Sequence, residues 1–190
     1  MRRIISLILV FLLLLSTSGC GPGAEEARMT VIFPEKFIGI AGQTPEGWVE
    51  ALEDAGPDQY LSLTAEPESG SVIMEITETQ RQFWKNTMRT ALDKYCRELS
   101  MENPSYKVTL SSDYTQADFY YNLDLNAADA VYYVMGVETY CICMQLLNGA
   151  DPDNWIVTMT IYNSDTGKTV TSGNSNEGLS YSAEDWEASK

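Results

Sequence analysis

The segment from Glu78 to Met101 carries the most regular pattern in the chain, with an apolar residue every three or four positions. The apolar stripe consists of Trp84, Met88, Ala91, Leu92, Tyr95, Cys96 and Leu99. This spacing places the whole stripe on one face of an α-helix. An amphipathic helix must cover another apolar surface, so the chain needs a second packed layer.

A second long helix is predicted from Asn126 to about Leu147, where Asn148 and Gly149 end it. Its sequence is apolar on nearly every side rather than along one stripe. A helix of this kind is buried on more than one side or contacts a partner. A short helix is also predicted from Thr44 to Asp54, because a hydroxyl N-cap is followed there by proline.

Runs rich in β-branched and aromatic residues, separated by turn residues, predict a strand at 29–33 and three hairpins. The hairpin strands are 60–65 with 71–77, 106–110 with 118–125, and 154–163 with 169–171. The predicted fold class is α+β, an antiparallel sheet of hairpins with the two long helices packed on one face. Residues 29–171 would form this single domain, and the polar, acidic segment 172–190 would be a mobile tail.

The composition excludes several classes of function. The chain has 27 acidic against 12 basic residues, a net charge of −15 and no histidine. Nucleic-acid binding requires a positive surface against phosphate, so no nucleic-acid partner is expected. Without histidine, Ser-His catalysis, Cys-His catalysis and histidine-ligated metal sites are excluded.

The first residues have the layout of an export signal. Arg2 and Arg3 precede an apolar run from Ile4 to Leu15, which is shorter than the roughly 20 residues that span a bilayer as a helix. The run Thr17-Ser18-Gly19-Cys20 then resembles the bacterial lipoprotein lipobox. That resemblance implies a signal peptide over 1–19, a lipidated Cys20, a tether over 20–28 and an extracytoplasmic domain held at the cell membrane by its lipid.

The chain also resembles a group of small, uncharacterised lipoproteins of Gram-positive bacteria. The features that carry this resemblance are the lipobox, the strand Thr30–Pro34, the helix after Thr77 and the turn Asn163–Lys168. The resemblance implies a cellular location and an architecture. It assigns no activity and no catalytic residue.

Three cysteines remain after Cys20, namely Cys96, Cys141 and Cys143. Side chains two residues apart on a helix diverge, so Cys141 and Cys143 cannot share a metal ion there. We expect all three to be buried small hydrophobes. The alternative is one disulfide from Cys96 to Cys141 or Cys143, which an oxidising compartment permits.

Two surfaces are candidates for partner contacts. Tyr132, Tyr133, Gly136 and Tyr140 project within one arc of the second long helix, and rigid amphipathic tyrosines are typical of ligand and partner surfaces. A half-buried tyrosine layer inside the fold would give the same pattern. A basic ridge of Arg81, Lys85 and Arg89 could contact an anion, although such a ridge is usually a solvated helix flank.

Acidic residues supply two further hypotheses. Paired carboxylates such as Glu75 with Glu78, or Asp118 with Asp124, could cleave glycosidic bonds without histidine. The loop 148–154 offers oxygen ligands for calcium but lacks the spacing of a known calcium loop.

The main hypothesis is a lipid-anchored extracytoplasmic protein with a binding or interaction role, whose partner is a protein or a small molecule. The alternatives are a carboxylate hydrolase of cell-wall or dietary glycans and a calcium or small-molecule binding module. No catalytic residue, metal ligand or cofactor is assigned from the sequence.

Overall fold

A computed structural model describes residues 26–102, 104–122 and 127–190. Its helices are α1 (Glu35–Ile40), α2 (Pro45–Ala55), α3 (Glu78–Glu102), α4 (Ala127–Leu147) and α5 (Ala183–Ala188). Its strands are β1 (Arg28–Phe33), β2 (Ser62–Glu66), β3 (Ser71–Thr77), β4 (Lys107–Leu110), β5 (Gln116–Tyr121), β6 (Thr158–Asn163) and β7 (Thr169–Asn174).

The first three strands form an antiparallel sheet in the order β1-β3-β2. Val31 of β1 pairs with Met74 of β3, and Leu63 of β2 pairs with Met74 from the other side. Every second residue of β3 is fully buried, namely Val72, Met74 and Ile76. This alternation places one face of the sheet on the core.

The remaining four strands form a mixed sheet in the order β4-β5-β6-β7. Its outer pairs are antiparallel hairpins, but β5 and β6 run parallel, with Phe119 opposite Ile161. Parallel neighbours need a long crossover connection, and α4 is the helix of that crossover. Ala117, Phe119 and Ile161 are completely buried on the face that the sheet turns to the core.

Helix α4 lies at the centre of the molecule. It contacts α3, α1, β1 and β5, and its residues 141–147 are all buried. The polar side chain in this stretch, Gln145, donates its amide to the carbonyls of Tyr114 at 2.8 Å and Ile156 at 2.9 Å. The prediction that this helix is buried on more than one side is therefore confirmed.

The α+β class is confirmed, while the arrangement of strands differs from the sequence-based expectation. The strands divide into two sheets rather than one, and one pair is parallel. All three predicted hairpins are present, and the two long helices pack against each other. The short helix α1 is not among the helices predicted from the sequence.

Segment 172–190, expected to be a mobile tail, is folded in the structure. Residues 172–174 complete β7, and α5 begins with a capping box in which Ser182 and Asp185 bond each other's backbone N–H groups. Trp186 of α5 is 4% exposed, and its ring lies 5.5 Å from that of Tyr121, centroid to centroid. The polar composition of the segment gave no sign that Trp186, Leu179 and Tyr181 pack against the core.

We expect Trp186→Ala to destabilise the protein by about 3–5 kcal/mol, because the substitution leaves a cavity against Tyr121. Chemical denaturation measures the loss. The matched control is Glu184→Ala on the exposed side of the same helix, which should stay within about 0.5 kcal/mol of the parent. Equal stability of the two variants would show that α5 does not hold the fold together.

Candidate functional site

The predicted lipidation site, Cys20, lies outside the described residues, as does the signal segment before it. Over the ranges that are described, no helix combines the length and the apolarity needed to cross a bilayer. The predicted basic ridge lies on α3 and the predicted tyrosine face on α4.

Most of the predicted tyrosine face lies against α3 instead of forming an open surface. A Cβ atom placed on Gly136 would overlap the hydroxyl oxygen of Tyr95 on α3. The Tyr95 hydroxyl donates a hydrogen bond of 3.1 Å to the carbonyl of Tyr132. The ring of Tyr140 lies 6.1 Å from the ring of Tyr95, centroid to centroid.

Tyr133 belongs to the same contact. Its hydroxyl donates to Glu102 Oε2 at 3.0 Å, and its ring centroid is 5.5 Å from that of Tyr106. We call this contact the tyrosine seam, formed by Tyr95, Tyr106, Tyr133, Gly136 and Tyr140. Tyr132 differs from the other predicted residues, since its side chain is 70% exposed. The expected docking face is thus mainly a contact between α4 and α3. Tyr95 of the same chain occupies the space beside Gly136.

The three described cysteines carry free thiols, and none of the alternative disulfides is formed. Burial raises the pKa of Cys96 to about 11 and that of Cys141 and of Cys143 to about 12. A thiol is nucleophilic as its thiolate, so these groups are unreactive at neutral pH. Cys141 and Cys143 are buried in α4, as expected for small hydrophobes.

The first member of the predicted basic ridge is engaged within the fold. Arg81 bonds Glu78 at 2.7 Å, and this pairing lowers the pKa of Glu78 to about 2. Arg81 also donates to the carbonyl of Leu147, the last residue of α4. Lys85 and Arg89 continue the ridge on the outside of α3.

The predicted acidic sites are occupied by local hydrogen bonds. Asp151 accepts from the backbone N–H of Asp153 and from the side chain of Asn154, which closes the loop 148–154 on itself. Glu75 accepts from the Ser62 hydroxyl at 3.2 Å. Asp124, one half of the other predicted carboxylate pair, is not among the described residues. In the part of the chain that is described, no three Cys, Asp or Glu residues cluster closely enough to hold a metal ion.

The structure reveals a pocket that the sequence analysis missed. It has a volume of about 210 Å³ and lies between α4, the core-facing side of β5 and β6, and residues 178–181. The helix contributes one face at i, i+3, i+4 and i+7 spacing. The lining residues are Tyr121, Val131, Val134, Met135, Glu138, Met159, Ile161, Gly178, Leu179 and Tyr181.

Among the described residues of the pocket wall, Glu138 is the one that carries a carboxyl group. Its residue is 8% exposed, and burial raises the pKa of its carboxyl, an effect that the positive charge of Lys36 partly offsets. Burial also raises the pKa of the Tyr121 hydroxyl, with Tyr181 beside it. Within Val131–Leu147, Glu138 is the single charged residue, and this isolation is the signal that could have found it in the sequence.

Comparison of the chain with protein-family models, with curated proteins and with solved structures found no match.

We expect Gly136→Ala to destabilise the protein by about 1–3 kcal/mol, because the added methyl group would overlap Tyr95 across the seam. Thermal unfolding followed by circular dichroism measures the change. The control is Gly39→Ala in α1, where nothing lies within 4 Å of the added Cβ atom. Alanine has a higher helix propensity than glycine, so the control substitution should leave the stability unchanged or increase it. A Gly136→Ala protein as stable as the control would contradict close packing at the seam.

Proposed function

We propose that this protein is a lipid-anchored extracytoplasmic binding protein that takes a small, mostly apolar molecule into the pocket between α4 and the four-stranded sheet. The observation that carries the proposal is the pocket itself: about 210 Å³, walled by aliphatic, methionine and tyrosine side chains. Ligand sites in proteins are typically concave and mostly apolar, with a few placed polar groups.

The volume sets the size of the molecule. An apolar cavity of about 150 Å³ is large enough to hold benzene. A pocket of about 210 Å³ therefore fits a single ring with a short chain, and not a polymer. This size favours the small-molecule form of the binding hypothesis over cleavage of an extended glycan.

The location rests on the lipobox resemblance at Thr17–Cys20. Two acyl chains on Cys20 would give stable anchoring, which one chain does not. Anionic lipid headgroups repel a domain of such negative net charge, so the lipid alone would hold it at the membrane.

Cys20→Ser tests the anchor. The parent protein should fractionate with the membrane, and the variant should be recovered in the aqueous fraction, because serine offers no thiol for the lipid. Cys96→Ser is the matched control and should remain with the membrane. A mass spectrum of the membrane-fraction protein with an unmodified Cys20 thiol would contradict the proposal.

Met135→Trp tests the pocket. Met135 lines the pocket with 40% of its surface exposed, so an indole there should fill the cavity. We expect phenylpropanol to bind the unlipidated chain from residue 20 onward with a dissociation constant on the order of 0.1 mM. Ligand-observed NMR should show this affinity falling at least tenfold in the variant.

Met101→Trp is the matched control, since Met101 is 77% exposed on α3 and does not line the pocket. Its affinity for phenylpropanol should equal that of the parent. If the parent gives no saturable signal, or if both variants bind as the parent does, the pocket is not a binding site.

A further inference from the structure

The pocket holds a buried carboxyl group that forms no ion pair with any of the described residues. Glu138 is 8% exposed and lies on the pocket wall, one turn along α4 from Val134 and Met135. The surrounding lining residues are apolar or tyrosine. An ionised carboxylate in such surroundings is unfavourable unless an opposite charge or hydrogen-bond donors accompany it.

Among the described residues, Glu138 has no hydrogen bond and no ion pair. The cation whose charge acts on it is Lys36 of α1. The Lys36 ammonium is engaged elsewhere: it donates to the side-chain oxygen of Asn176 and lies 4.9 Å from the ring centroid of Trp155. Lys36 therefore stands beside the pocket and leaves the carboxylate available to a molecule inside it.

The group that best completes this site is a positive charge on the ligand. A charge-assisted hydrogen bond from an ammonium to a carboxylate is about twice as strong as one between neutral groups. The low local polarity of the pocket strengthens the attraction further. A ligand carboxylate would instead be repelled by Glu138, which is enclosed with it.

Resting on the function proposed above, we propose that the pocket selects small hydrophobic amines, with the ammonium paired to Glu138 and the hydrocarbon part among Val134, Met135 and Leu179. The tyrosines of the lining add to the fit, because aromatic rings attract cations. The ligand class is thus a single ring or short alkyl chain that ends in a primary amine.

The test compares three probes with the same hydrocarbon part and different ends: phenylpropylamine, phenylpropanol and phenylpropanoate. On the unlipidated chain from residue 20 onward, calorimetric titration at pH 7 should show the amine binding at least tenfold more tightly than the alcohol. The carboxylate should bind more weakly than either. In Glu138→Gln the preference for the amine should fall to within about twofold, a free-energy change of about 1 kcal/mol or more.

The matched control is Glu68→Gln, in the exposed turn between β2 and β3. It removes the same charge from the acidic protein without touching the pocket, so the preference for the amine should persist. Equal loss of preference in both variants would assign it to the overall negative charge and overturn the role of Glu138.

The pH dependence gives a second readout. Below its raised pKa, Glu138 becomes neutral, so the preference for the amine should decline as the pH falls from 7 toward the usual glutamate value of 4.5. The raised pKa values of Cys141 and Tyr121 keep these two neighbouring groups neutral in this range.

The two proposals fail in different ways. If neither the amine nor the alcohol binds, the pocket is not a binding site and both proposals fall. If both bind with the same affinity, or if Glu138→Gln keeps the preference for the amine, the binding function stands and the selectivity for amines is overturned.

Discussion

The burial of residues 141–147 of α4 is the constraint on which the rest of the architecture depends. The helix is apolar around its whole circumference from Val131 onward, with Glu138 its single charged residue there. No single layer can cover such a surface, so two sheets and α3 surround it. Gln145 is the polar residue of this buried stretch. Its side-chain amide donates to the carbonyls of Tyr114 and Ile156, which lie just before β5 and β6. Burial and hydrogen bonding thus fix the helix in one position.

Local features of this fold could be predicted from the sequence, and the pairing of strands could not. The stripe that begins at Trp84 and the proline after Thr44 define α3 and α2, because periodicity and capping act within a few residues. Each hairpin follows from its own turn. The parallel pairing of β5 with β6 depends on packing across the long α4 crossover, which is a non-local choice. The acidic composition of 172–190 predicts a mobile tail, whereas burial of Trp186 keeps this segment folded.

The same distinction applies to the candidate site. The tyrosines of α4 are conspicuous in the sequence, yet Tyr133 and Tyr140 pack in the seam, where Gly136 admits Tyr95. Glu138 is the single charged residue of Val131–Leu147, but the sequence does not show which side chains surround it. Its significance appears when Met159 and Leu179, distant in sequence, enclose the same space. A carboxyl group on the wall of a pocket is a property of the tertiary structure.

The position of residues 178–181 has a consequence for the order of events during folding. This segment forms one wall of the pocket and follows all the other lining residues in the chain. The pocket is therefore incomplete until residues 178–181 have packed against the rest of the fold. A molecule bound in the pocket would stabilise the packed form of residues 178–181, because a ligand that binds the folded state disfavours local unfolding. Resistance of the segment to proteases would then report occupancy of the pocket.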